Sequence, residues 1–193
     1  LAVYDVADAM LVTLPAGQDV PAGVVAVADV ALHVTGAAGL QAAAADVKGA
    51  TYRATIAAPA DLAGAGVTVA VVDTVVSDVA DLPSRVTHVN VSGGAAGDGL
   101  GHGTFMAGLV AGDGTSSSGT YVGVAPAARI LDVQVATADG TTSLSRVLAG
   151  LQAVSDAARA DSSVRVVSLA LSTGSPLPPS ADPLSRALDR LWA

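Results

Sequence analysis

Val67-Thr68-Val69-Ala70-Val71-Val72-Asp73-Thr74 is the stretch whose reading decides how this chain folds. A continuous apolar run of this length, rich in valine and ended by an acid, reads as a strand covered on both faces. Outward from it, strands and helices alternate. Arg85 to Val91 reads as a second, shorter strand, and Gly103 to Ala111 places small and apolar residues at helical spacing. Ala128 to Ala136 is a further strand. Ser143 to Arg159 is the clearest helix: Leu144, Val147, Leu148, Leu151 and Val154 share one face, and Ser143 or Thr142 is available as N-cap. Ser163 to Leu171 is a fourth strand. Pro176, Pro178 and Pro179 interrupt the chain, and Asp182 to Leu191 forms a last helix with Pro183 near its first turn. This alternation predicts an α/β fold with a mainly parallel sheet flanked by helices.

Residues 1 to 50 have a different texture. Ala9 to Leu14 and Val24 to Val27 are short β-prone runs punctuated by Pro and Gly, and Ala42 to Ala45 could form a helical turn. They predict a strand-rich N-terminal arm, followed by a single domain over 51–193.

Composition removes several classes of function. The net charge is −8; all 17 acids are Asp, and eight of the nine Lys and Arg residues are Arg. That balance argues against nucleic acid, which selects a basic stripe. The mean hydropathy is +0.57, yet every apolar run is cut by Asp, Gly, Pro or Thr before the ~18–20 residues that a spanning helix needs. The chain is expected to have no membrane partner. There is no Cys, so disulfides, thiolate metal sites and a Cys nucleophile are excluded. The chain begins at Leu1 with no basic stretch before an apolar one, the expectation for a processed product or an excised piece.

The chemistry concentrates at two residues. Asp73 follows directly on the buried strand, and in open parallel sheets the functional crevice lies at the carboxyl ends of the strands. His102 lies 29 residues further on, between Gly101 and Gly103, at the start of the small-residue helix. The glycines let backbone pass close to the ring. The positive end of a helix dipole favours the neutral imidazole, the form that accepts a proton. A buried Asp beside such a His is two-thirds of a charge-oriented general base. Other readings fit less well. Gly97 to Gly101 is Gly-rich but lacks the Lys-Ser/Thr of a phosphate loop. Gly64-Ala65-Gly66 precedes its strand, so it is no dinucleotide fingerprint. Asp73, Asp98 and His102 match no metal spacing, and His33 and His88 read as structural or surface residues.

Leu62 to Thr74 resembles the Asp motif of subtilisin-like serine proteases, and Asp98 to Gly108, with Gly101-His102-Gly103-Thr104 at its centre, resembles their His motif. Tyr121 to Ile130 is similar to the segment that follows the His helix in that family. The resemblance runs from Leu62 to the end of the chain, with Asp73 before His102 as in the family order Asp, His, Ser. It implies a serine endopeptidase in which Asp73 orients His102 and His102 takes and returns the serine proton. It implies that Leu169, Ala170, Leu171 and Ser172 pair with the backbone of a peptide or protein substrate, and that the stretch after Val135 walls the same cleft. It implies no required cofactor. A structural calcium ion is implied at Asp81, with the matching loop at Gly112 to Thr120, where Ser and Thr stand in place of Asn. Residues 1–50 would be an arm or the remnant of a propeptide, 51–193 the N-terminal portion of the peptidase domain, and the location secreted or extracytoplasmic.

The serine and the oxyanion-hole Asn are expected beyond Ala193, in a C-terminal remainder of the same domain, so this chain alone is expected to be inactive. Gly114-Thr115-Ser116 imitates the serine motif but lies in a loop close behind His102. Three positions depart from the family pattern: Val75 replaces Gly, Phe105 replaces a second His, and Ala170-Leu171-Ser172 stands where Ser-Leu-Gly is usual. Two rivals remain: a degenerate, non-catalytic protease-like domain that binds peptides or a partner, which the departures favour, and a non-peptidase α/β hydrolase or metal-dependent enzyme.

Overall fold

The computed structural model describes residues 2–34, 53, 55–59, 61–94, 97–172 and 178–193. At its centre a four-stranded sheet runs in the order β5-β6-β4-β8. Its members are β4 (Thr68–Asp73), β5 (Val86–Asn90), β6 (Arg129–Gln134) and β8 (Val164–Leu169), all paired parallel. All six residues of β4 are buried, as its continuous apolar run predicts. Successive side chains point to opposite faces of the sheet. Ala70, Val72, Leu131 and Val133 turn one way, against Val147, Leu148, Leu151 and Val154 of helix α2 (Leu144–Ala160). Val69, Val71 and Ile130 turn the other way, against Ala107 and Ala111 of helix α1 (His102–Ala111). Each fully buried aliphatic side chain contributes roughly 1.5–3 kcal/mol of transfer free energy.

The helix ends are where the sequence places them. The Ser143 hydroxyl caps α2 by accepting from the Arg146 amide. The Asp182 carboxylate caps helix α3 (Pro183–Trp192) by accepting from the Ser185 amide at 2.9 Å. Both caps satisfy an N–H that has no partner within its helix.

The strand expected over Ser163 to Leu171 is two elements. β8 ends at Leu169, Ala170 breaks the run, and β9 (Leu171–Ser172) joins a different sheet. That second sheet has the order β7-β3-β9, with β3 (Ala31–Val34) antiparallel to both β7 (Thr141–Ser143) and β9. β3 has no signal of its own in the sequence, because it is a strand through its neighbours. Val24 to Val27, by contrast, forms no strand; it follows a turn at Pro21 to Val24. The Ala42 to Ala45 run lies outside the described residues.

The N-terminal segment packs into the domain. β1 (Ala2–Tyr4) and β2 (Ala9–Leu11) form a hairpin. Tyr4, Val6 and Ala7 are buried with Leu148, Leu184 and Ala187. The Val6 amide donates to Gln152 Oε1 at 2.9 Å, and Arg186 pairs with Asp8 at 2.8 Å.

Candidate active site

Asp73 is the last residue of β4 and His102 the first of α1, so the dyad is built from a strand end and a helix start. His102 Nδ1 lies 2.7 Å from Asp73 Oδ1 and 2.9 Å from Oδ2. The two residues are 3 % and 1 % exposed. With Nδ1–H donating to the carboxylate, Nε2 is the basic atom of the ring, the tautomer that proton transfer requires. Burial pushes the Asp73 carboxyl above the ordinary carboxylate range, against the opposing pull of hydrogen bonds from His102 and the Thr74 amide.

The close approach of α1 to the end of β4 depends on glycine. A Cβ on Gly103 would stand 2.6 Å from the Val75 carbonyl oxygen and 2.9 Å from Thr74 Oγ1. Gly101, at φ +77°, makes the left-handed entry into the helix. The Gly101 N-cap has no side chain, so other residues serve the first amides of α1. Thr74 Oγ1 accepts from the Gly103 amide at 2.9 Å, and Asp98 Oδ2 accepts from the Thr104 amide at 3.1 Å. Asp98 also accepts from the Gly101 amide at 2.9 Å, from Thr74 Oγ1 at 3.0 Å and from Thr104 Oγ1 at 2.5 Å. One carboxylate thus ties the loop after Asp73 to the start of the His102 helix. The sequence signal for this role is a capping-type residue shortly before a helix start.

Val75, the departure beside Asp73, is not among the non-glycine residues with positive φ, so its β-branched side chain fits the backbone there without strain. Gly114-Thr115-Ser116 lies just past the C-terminus of α1, about 15 Å of helix away from His102. The Ser116 amide donates to Asp81 Oδ1 at 2.6 Å. Leu169 ends β8 opposite Val72, while Leu171 pairs with Val34 and Ser172 with His33. Of the edge assigned by resemblance to a substrate, Leu171 and Ser172 are therefore paired with the chain's own β3.

His88 is more engaged than its sequence context predicts. Its Nδ1 lies 2.8 Å from Asp132 Oδ2, which also accepts from the Val76 amide at 3.1 Å. Asp132 is wholly buried on β6, on the same sheet face as Asp73, and its Oδ1 has no partner. Burial raises the Asp132 carboxyl, and the Asp73 charge raises it further, against the hydrogen bonds from His88 and Val76. Nothing in the apolar pattern of β6 announces this pair.

Calcium takes about six to eight oxygen ligands, and the residues around Asp81 do not offer them. Asp81 Oδ1 is taken by the Ser116 amide, and Asp113 Oδ1 by the Thr115 amide at 2.9 Å. The carbonyl oxygens of Asp81, Ala111, Pro126 and Ala128 accept from Arg85. Among the described residues no group of three or more His, Cys, Asp or Glu side chains could hold a metal ion. Among them, too, no helix is long and apolar enough to cross a membrane.

The family model of the Subtilase family matches residues 64–191. The chain is 36 % identical over 141 residues to serine protease AprX of Bacillus subtilis (strain 168), covering 68 % of this chain and 31 % of that protein. It is 39 % identical over 99 residues to subtilisin BL of Lederbergia lenta, covering 47 % of this chain and 34 % of that one. A solved cold adapted subtilisin-like serine proteinase aligns with a TM-score of 0.40 at 27 % identity, covering 51 % of this chain and 35 % of that chain. The chain thus spans about a third of the length of these relatives. The match covers the parallel sheet, α1 and the Asp73–His102 dyad, and on it the chain belongs to the subtilase family.

Proposed function

We propose that the protein carrying this chain is a serine endopeptidase whose Asp73 and His102 form the base of an Asp-His-Ser triad. The observation that carries the reading is the buried 2.7 Å contact between Asp73 and His102 Nδ1 at the carboxyl end of the central sheet. His102 Nε2 would take the proton of a serine supplied by the C-terminal remainder of the domain and return it to the leaving amine. β8 is the outer strand of the sheet, with Val166 48 % exposed, and an adjoining strand of that remainder would cover it. By this reading the chain alone lacks peptidase activity, and the whole protein works outside the cytoplasm.

Leu169 to Ser172 and β7 are the proposed walls of the substrate cleft, and β3 supports that assignment. It is an extended segment held between β7 and β9 by antiparallel backbone pairing, the geometry of a captured peptide. Leu32 and Val34 are buried and His33 between them is exposed, so the groove takes alternate aliphatic side chains. Residues 1–50 would then act like a propeptide, occupying the cleft that a substrate needs.

The reading is tested on the full-length protein with a fluorophosphonate probe for activated serines. Labelling is expected in wild type and lost in His102→Ala. A folded wild-type protein that takes no label would refute it.

A further inference from the structure

We propose that the Arg85 guanidinium is the built-in cation of the loop at the C-terminal end of α1, doing there what a structural metal ion would do and making the loop independent of calcium. Arg85 stands just before β5, and its side chain turns into the space between three segments. Nη2 donates to the Asp81 carbonyl at 3.2 Å and to the Ala111 carbonyl at 3.1 Å. Nη1 donates to the Ala128 carbonyl at 3.0 Å and also to the Pro126 carbonyl. Asp113 Oδ2 lies 3.5 Å from Nη2. Four main-chain oxygens and one carboxylate thus converge on a single positive group.

That environment is oxygen-rich and anionic, the chemistry a divalent cation would seek. The guanidinium already fills it with a permanent charge and donors in a planar fork. Ala111 is the last residue of α1, so its carbonyl has no partner within the helix, and a cation at that end also complements the helix dipole. The two carboxylates are engaged as well, each through one oxygen. The Asp81 and Asp113 carboxylates each accept from a loop amide, Ser116 and Thr115, so the loop presents N–H groups where a metal site would present oxygens. A calcium ion entering here would face both the Arg85 charge and carbonyls that already have donors. The result is a clamp from the β4–β5 connection through the end of α1 to the approach to β6. It fixes the far end of the helix that carries His102.

Lys is not equivalent to Arg here. A lysine ammonium is a compact charge with three donors and cannot reach oxygens spread over three segments with the same geometry. The test is thermal unfolding of the whole chain in EDTA and in millimolar calcium chloride, together with calorimetric titration of calcium. Wild type is expected to melt at the same temperature in both and to give no saturable heat. Arg85→Met is expected to lower the melting midpoint by roughly 5 °C or more, with Arg85→Lys restoring part of the loss. Asp113→Asn, which leaves the carbonyl contacts in place, is expected to cost less than Arg85→Met. If Arg85→Met fails to fold, the wild-type calcium arms and Asp113→Asn still decide. A calcium-dependent rise in the wild-type midpoint that Asp81→Asn abolishes would overturn the proposal, as would an Arg85→Met protein that melts like wild type.

Discussion

At the scale of single residues, Gly103 leaves no room for a side chain. A methyl group there meets the Val75 carbonyl oxygen at 2.6 Å and Thr74 Oγ1 at 2.9 Å. Gly103→Ala is therefore expected to push α1 away from β4, lengthen the His102–Asp73 contact and cost about 1–3 kcal/mol of stability. Chemical denaturation measures the cost, and loss of the far-downfield imidazole proton signal of His102 by NMR reports the broken contact. Asp98 makes a second prediction. Asp98→Ala removes the acceptor for the Gly101 and Thr104 amides and for Thr74 Oγ1, and is expected to cost about 1–2 kcal/mol while loosening the same dyad. Asp98→Asn, which keeps an acceptor oxygen, is expected to recover part of that stability in the same denaturation experiment.

At the scale of elements, β3 and β9 show how pairing overrides local pattern. Ala31 to Val34 carries no strong strand signal, yet one neighbour on each side makes it a strand. Leu32→Asp places a charge at a position that is 2 % exposed. It is expected to release β3 and open the groove between β7 and β9. Binding of an extended aliphatic peptide added in trans, followed by fluorescence anisotropy, should then strengthen relative to wild type; unchanged binding would mean that β3 is not the occupant of the groove. The helices behave more predictably. α2 declares itself by a five-residue apolar face and a serine cap, and its buried Leu151 touches the sheet core. α1 starts one residue before its small-residue spacing, and Gly103, Ala107 and Ala111 form its buried face with His102. It exists as a helix because small side chains let it lie close against β4.

At the scale of the whole molecule, two buried carboxylates sit on one face of the central sheet. Asp73 and Asp132 both have raised pKa values in the fold, burial being the larger cause. Each binds its proton more tightly folded than unfolded. Their contribution to stability is full below the ordinary carboxylate pKa of about 3.9 and is lost as pH rises through the raised folded values. Asp113, Asp139 and Asp161 run the other way. Hydrogen bonds from nearby hydroxyls and amides lower them, so they help above the ordinary range and lose that help as pH falls through their lowered values. Melting temperature is therefore expected to fall as pH rises through the raised values of Asp73 and Asp132, and Asp132→Asn to flatten that fall; a flat wild-type profile would contradict it. The sequence by itself determined the parallel α/β architecture, the helix that Ser143 caps and the Asp73–His102 pair. Those signals are local: a valine run ended by an acid, an apolar face at helical spacing, a histidine between glycines. Tertiary structure alone decided that β3 pairs between β7 and β9, that Asp98 bridges strand and helix, that His88 meets Asp132, and that Arg85 takes the carbonyls around Asp81. Each of these joins groups brought together only by the fold, and neither propensity nor periodicity encodes which distant donor meets which acceptor.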